Sequence, residues 1–135
     1  MPLTSIQEFR ITLRNFLLSQ STITDVVVDR IYYTNWYSIH ANTQVFPLIT
    51  ISQDTGHSYI GLASNFNIII SGHSNLYYDE SGGILQLVSD ILDPTISWLG
   101  HTFSVRGSSN PTDVYNTKSR VYTTNKSFVV NIVGV

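Results

Sequence analysis

The chain has 135 residues and a mass of 15.2 kDa, of which 42% are hydrophobic and only 12% charged. That is one domain with one real core, and it is too apolar and too weakly charged to be a disordered segment. Seven Lys+Arg against nine Asp+Glu give a net charge of -2 and a pI near 6.0, which excludes the basic face a nucleic-acid grip requires. With no cysteine, disulfides, thiolate metal sites and a Cys nucleophile are excluded as well.

Ser, Thr and Asn make up roughly 30% of the chain, so uncharged hydrogen-bonding groups must wet its surface. MPLTSIQEFRITLRNFLL has no basic leader before a continuous apolar run, and no stretch reaches the roughly 18–20 apolar residues of a spanning helix. The expectation is a single soluble domain over residues 1–135, made in a cytoplasm, with no membrane partner.

Ile6, Phe9, Leu13, Phe16 and Leu17 recur at helical spacing, and Ser5 with Glu8 forms a capping-box start. Arg10 and Arg14 fall off that stripe, toward solvent or a partner. The helix should stop in the polar cluster Ser19 to Thr22. ITDVVVDRIYY then opens with a short helical turn capped by Thr24 or Asp25 and ends in the strand formers Ile31, Tyr32 and Tyr33.

FPLITIS predicts a strand with Pro47 at its start or on an edge. After a polar loop at 53–58, Asn65 to Ser71 alternates cleanly, with Phe66, Ile68 and Ile70 on one face and Ile69 on the other. A second polar loop is expected at 72–82, with Gly82-Gly83 preceding a second helix. That helix carries Ile84, Leu87, Val88, Ile91 and Leu92 on one side and is closed by Pro94. Strands follow at Ile96 to Val105, Ser119 to Thr124 and Phe128 to Val133, with a third polar loop at 106–118 and a tight turn at Asn125-Lys126.

This order predicts an α+β fold, a mainly antiparallel sheet with two α-helices packed on it. SFVVNIVGV, uncharged and apolar on both faces, is either central in the sheet or an edge covered by another copy.

Chemistry is hard to assemble from these residues. Ser71-Gly72-His73-Ser74 and Ser81-Gly82-Gly83 are not nucleophile elbows, and Gly82-Gly83 opens a helix without the rest of a phosphate loop. His40, His57, His73 and His101 show no metal-ligand spacing. Asp79-Glu80 and Asp90/Asp93 lie at helix boundaries, where helix electrostatics account for them. Trp36 and Trp98, with eight Tyr and six Phe, read as core and cross-strand packing. The chain is expected to be a non-enzyme without cofactor or metal. Arg106, Tyr115 and Arg120 are residue types that anchor protein interfaces, or else they line a mobile surface loop.

The order of segments carries a resemblance. The helix IQEFRITLRNFLL, the element Asp29-Arg30-Ile31-Tyr32, the strand FPLITIS, the strand FNIIISGHS, the helix GGILQLVSDIL and a closing pair of strands resemble the tail-terminator (tail-completion) proteins of long-tailed bacteriophages. The likeness spans about residues 5 to 133, and most of its weight rests on DRIY and the Pro-containing strand. YYTNWYSIHANTQVFP is longer and more aromatic than the link expected there, and 72–82 is rich in Asn and Tyr.

The resemblance implies a virion protein of the head-proximal neck, a six-fold ring that stops tube polymerisation and joins tail to head. Its partners would be its own copies, the tail-tube protein and a head-completion or connector protein, with DNA passing through the lumen unbound. The alternative is another neck or connector protein, or a tail-tube component. On this reading the first helix or the last strand's edge meets the neighbouring subunit. Loops 53–58 and 106–118 meet tube or head, through Asp54, His57, Tyr59, Arg106, Asn110, Asp113, Tyr115 and Arg120. Deleting 106–118 is then expected to spare folding and abolish attachment.

Overall fold

The structure, a computed structural model, describes residues 6–33, 45–53, 65–92, 96–98, 101–107, 109–118 and 120–132. Helices α1 (Ile6–Leu18) and α2 (Ser21–Val27) lead into strand β1 (Ile31–Tyr33). Strands β2 (Leu48–Gln53) and β3 (Asn65–Ser74) precede helix α3 (Tyr78–Leu92). Strands β4 (Ile96–Trp98), β5 (His101–Gly107), β6 (Thr112–Asn116) and β7 (Val121–Ile132) complete the chain. All seven strands join one sheet in the order β1-β2-β3-β7-β5-β4, with β6 also paired to β7. Among the described strands, only β1 and β2 run parallel. The α+β, mainly antiparallel fold expected from the pattern is the one observed.

Alternation puts one apolar row under the helices. Ile49, Ile51, Ile68, Ile70, Phe128, Val130, Phe103 and Val105 from the strands form one buried cluster with Leu13, Leu17, Ile23 and Val27. Helix α3 adds Ile84, Leu85, Val88 and Leu92 to that cluster, with Leu87 and Ile91 half-buried beside it. Gly72 lets α3 lie directly on β3, because a Cβ there would overlap the carbonyl of Ser81.

Several expectations are corrected. A third helix exists, since α2 is a full element whose N-cap is Gln20 and not Thr24 or Asp25; Thr24 lies inside it, with its N–H bonded to the Gln20 carbonyl at 3.0 Å. Helix α3 begins at Tyr78, so Gly82-Gly83 sit within it, and β3 runs on to Ser74, which leaves no loop over most of 72–82. Ser74 shapes that entry by accepting the N–H of Leu76 at 3.0 Å and donating to Glu80 at 2.6 Å. No turn falls at Asn125-Lys126; β7 passes straight through, because neither residue supplies the glycine a two-residue turn favours. The segment 106–118 contains strand β6. Strand β7 is central, with β3 along one edge and β5 and β6 along the other, so its apolar run is explained inside the chain. Arg14, expected at the surface, is half-buried and donates from Nε to the Ile31 carbonyl at 2.6 Å. Ser5, Pro94, Trp36 and His40 lie outside the described residues.

The two segments that carry the resemblance lie side by side. Arg30 donates from Nε to the Pro47 carbonyl at 2.9 Å, and Ile49 N–H donates to the Arg30 carbonyl at 2.9 Å. This clasp sets the parallel register of Ile31 against Ile49 and Tyr33 against Ile51. The DRIY element is therefore a fastening between α2 and the sheet. The Phe46-Pro47 peptide bond beside it is cis.

Candidate assembly interface

Strands β5, β6 and β7 form one long hairpin. Its outgoing arm is interrupted between Gly107, which faces Phe128, and Thr112, which faces Asn125. Four residues separate Gly107 from Thr112 in sequence while two, Lys126 and Ser127, separate their partners, so the outgoing arm carries a bulge with surplus chain. Ser109 Oγ accepts the Ser127 N–H at 3.2 Å, replacing a ladder bond, and Pro111 fits where no backbone donor is needed. The tip closes through Asn116, whose carbonyl accepts Arg120 N–H at 2.8 Å and whose side chain accepts Lys118 N–H at 3.0 Å. Arg120 takes φ 57°, a left-handed backbone that glycine or asparagine adopts more readily.

Base and tip differ in burial. Phe103 and Val105 sit in the core, whereas all five residues of β6 are exposed, Val114 and Tyr115 among them. On the helix side the Tyr115 ring packs on Tyr122 with centroids 4.6 Å apart, and Tyr122 meets Tyr78 of α3 edge-on at 4.8 Å.

Between α3 and the hairpin lies an open groove of about 440 Å³. Its walls are Tyr78, Asp79, Gly82 and Gly83 on the helix, and Asp113, Thr124 and Lys126 on the strands. Thr124 Oγ1 donates to Asp113 Oδ1 at 2.7 Å and lies 2.8 Å from Ser81 Oγ, so a hydrogen-bonded chain ties β6 through β7 to α3. Lys126 bridges the same gap, reaching Ser89 Oγ at 3.4 Å while covering the Phe128 ring at 5.5 Å.

The opposite sheet face carries a cluster of polar residues beside the buried Leu48 and Val121. His73 is buried there, with Nε2 at 2.8 Å from Thr50 Oγ1 and Nδ1 at 2.9 Å from Thr123 Oγ1. Burial lowers its pKa to about 4, so it is a neutral strand-to-strand tie across β2, β3 and β7. Ser71 and Asn125 are hydrogen-bonded on the same face.

The hairpin brings together Arg106 near its base, Asn110 in the bulge, Asp113 and Tyr115 on β6, and Arg120 in the turn, all exposed. Arg106, Asp113 and Tyr115 belong to paired strands, while Asn110 and Arg120 lie in the bulge and the turn that interrupt and close the arm. Asp54, His57 and Tyr59 lie outside the described residues. Sequence reasoning missed Ser81, which falls in the loop expected at 72–82, and Thr124 and Lys126, which lie at the Asn125-Lys126 turn that does not exist. The signal was available: VYTTNKSFVV contains neither Gly nor Pro. Deleting 106–118 would remove all of β6 and expose one edge of β7, so the deletion cannot be neutral for folding.

No family model matches the chain, and no curated protein matches it. Among solved structures, it is similar to a chain from the virion of a native gene transfer agent (GTA) particle, with a TM-score of 0.66 at 10% identity over 96% of each chain. A second solved chain, whose name describes no function, has a TM-score of 0.52 at 10% identity over 94% of each chain. At such identities the shared property is the fold.

Proposed function

We propose that this chain is a structural protein of a phage-like virion, and that it closes the head-proximal end of a tail tube as a six-fold ring. The observation that supports this reading most is the end-to-end likeness of its fold to a chain of a gene transfer agent virion. The order of segments that resembles tail-terminator proteins supports it independently. The ring stops tube polymerisation and presents a docking face to a head-completion or connector protein. No catalytic step is required, and the protein works as a non-enzyme, in the virion neck.

In this role the hairpin is the docking element. Its base is fixed in the core by Phe103, Val105 and Phe128, and its tip offers Tyr115, Asp113 and Arg120 to the tube or head protein. Aromatic and arginine side chains are the types that dominate protein interfaces, and an aromatic ring such as Tyr115 loses little conformational freedom on binding. Both edges of β7 are occupied, so the neighbour-facing element is α1 and not the last strand; Ile11 is exposed on that helix. The net charge of -2 suits a lumen through which a polyanion slides without sticking.

The test is tail length, measured by electron microscopy, in particles assembled without the protein. Overlong headless tubes are the expected result. Tubes of normal length that fail to join heads would move the chain to a connector role, and absence of tubes would make it a tube subunit. Normal infectious particles would overturn the structural reading altogether.

A further inference from the structure

A sheet edge left open is a template for another strand, and folded proteins shorten, charge or cover such edges. Strand β1 is three residues long, and Arg14 occupies the Ile31 carbonyl that points away from β2. Strand β4 is likewise only three residues. Strand β6 is different. It has five residues, all exposed, and among the described residues it is paired on one edge only, to β7. In an antiparallel ladder alternate residues turn their N–H and C=O groups away from the partner, so the middle of β6, from Asp113 to Tyr115, turns backbone groups toward the side away from β7. The bulge and Pro111 guard its start, but within the strand its protection is one carboxylate, Asp113, and that group already accepts a hydrogen bond from Thr124.

The residues of β6 are complementary to themselves. Two copies laid antiparallel about a two-fold axis through Val114 place Val114 opposite Val114, Asp113 opposite Tyr115, and Thr112 opposite Asn116. No like charges meet across the strands. Continued outward, the same register sets Lys118 of each copy against the uncharged Asn110 of the other. Val114 and Tyr115, 49% and 39% exposed in the single chain, supply the apolar contact on the two faces of the junction. We propose that the free protein self-associates through β6, joining two seven-stranded sheets into one across a two-fold axis centred on Val114.

This contact does not depend on the tail reading. It also bears on it, because an isologous pair cannot recur around a head-to-tail ring. The paired form is then a state of the free protein that must open before the hairpin tip docks elsewhere, so the ring would close on the tube and not in solution.

Sedimentation of the full-length chain over a range of concentrations tests the proposal. Wild type is expected to pass from monomer to dimer. Val114→Lys and Val114→Glu each oppose like charges at the axis and should weaken the dimer about fivefold or more. An equimolar mixture of the two should restore it, an outcome that a mere folding defect in either variant cannot produce. Far-UV circular dichroism spectra of the variants that match wild type confirm that the fold is kept, since midpoints shift with self-association itself. A wild type that stays monomeric throughout, an assembly that Val114→Lys leaves intact, or a mixture that fails to recover the dimer would each overturn the proposal.

Discussion

His73 shows how one buried ring makes stability depend on pH. In the fold both its nitrogens face threonine hydroxyls and burial keeps it neutral down to about pH 4, whereas the unfolded chain's histidine takes up a proton near 6.5. The unfolded state therefore binds the proton first as pH falls. The contribution is complete above pH 6.5 and is lost between 6.5 and about 4, in total about 3 kcal/mol. Urea unfolding at pH 7 and pH 4.5 should show this loss in wild type and a flatter dependence in His73→Gln; parallel losses would clear His73 of the effect. Two other residues hold backbone that their side chains disfavour. Val28 has φ 60° after α2 and is 56% exposed, so Val28→Gly should raise stability by about 1–2 kcal/mol. Arg120 has φ 57° in the hairpin turn, and Arg120→Gly should gain about 1 kcal/mol in thermal or urea unfolding. If its guanidinium serves docking, that more stable variant should join tails to heads less well.

Among the elements, β3 and α3 each carry a glycine whose surroundings sequence alone could not distinguish. Gly72 on β3 has the Ser81 backbone where a Cβ would go, so Gly72→Ala must push α3 off the sheet, at a cost of about 1–3 kcal/mol. Gly83 in the helix has nothing within 4 Å of that position, and Gly83→Ala should stabilise by about 1 kcal/mol through helix propensity. Chemical denaturation of both variants checks the pair. What the sequence makes legible follows the same division. Periodic apolar patterns located α1, β3 and α3, because burial on one face imposes them. The strand character of β6 was hidden, since five exposed residues on an edge leave no alternation to read. The unity of β7 was hidden as well. Its N-terminal half pairs with polar β6 and its C-terminal half with apolar β5, so composition changes midway along one strand. The candidate interface was found by residue type, through Arg106, Tyr115 and Arg120. Its groove and its hydrogen-bonded chain were not, because Ser81, Thr124 and Asp113 meet only after folding.

On the scale of the whole molecule, the sheet is held together by β7, which pairs with β3 over ten residues and with β5 and β6 on its other side. Half of the molecule's pairings therefore wait for the last strand to be made. A chain with such non-local pairing folds slowly for its size. Stopped-flow refolding is expected to give milliseconds-to-seconds kinetics, with Val130→Ala both less stable and slower to fold if β7 organises the transition state. The helices lie on one face, so the other face, with Thr50, Ser71, His73, Thr123 and Asn125, is held by side-chain hydrogen bonding across strands.

The bulged hairpin has one more consequence, which concerns change over generations. Substitutions at exposed positions away from caps and strained turns alter stability by about 0.5 kcal/mol or less. Each residue from Thr112 to Asn116 meets the exposure condition, while Phe103, Val105 and Phe128 at the base do not. Folding thus constrains the anchor and leaves most of the tip's alphabet to be set by whatever the tip touches. If the tip docks as proposed, a lineage can rewrite its contact surface in step with a changing partner and keep the same scaffold beneath it.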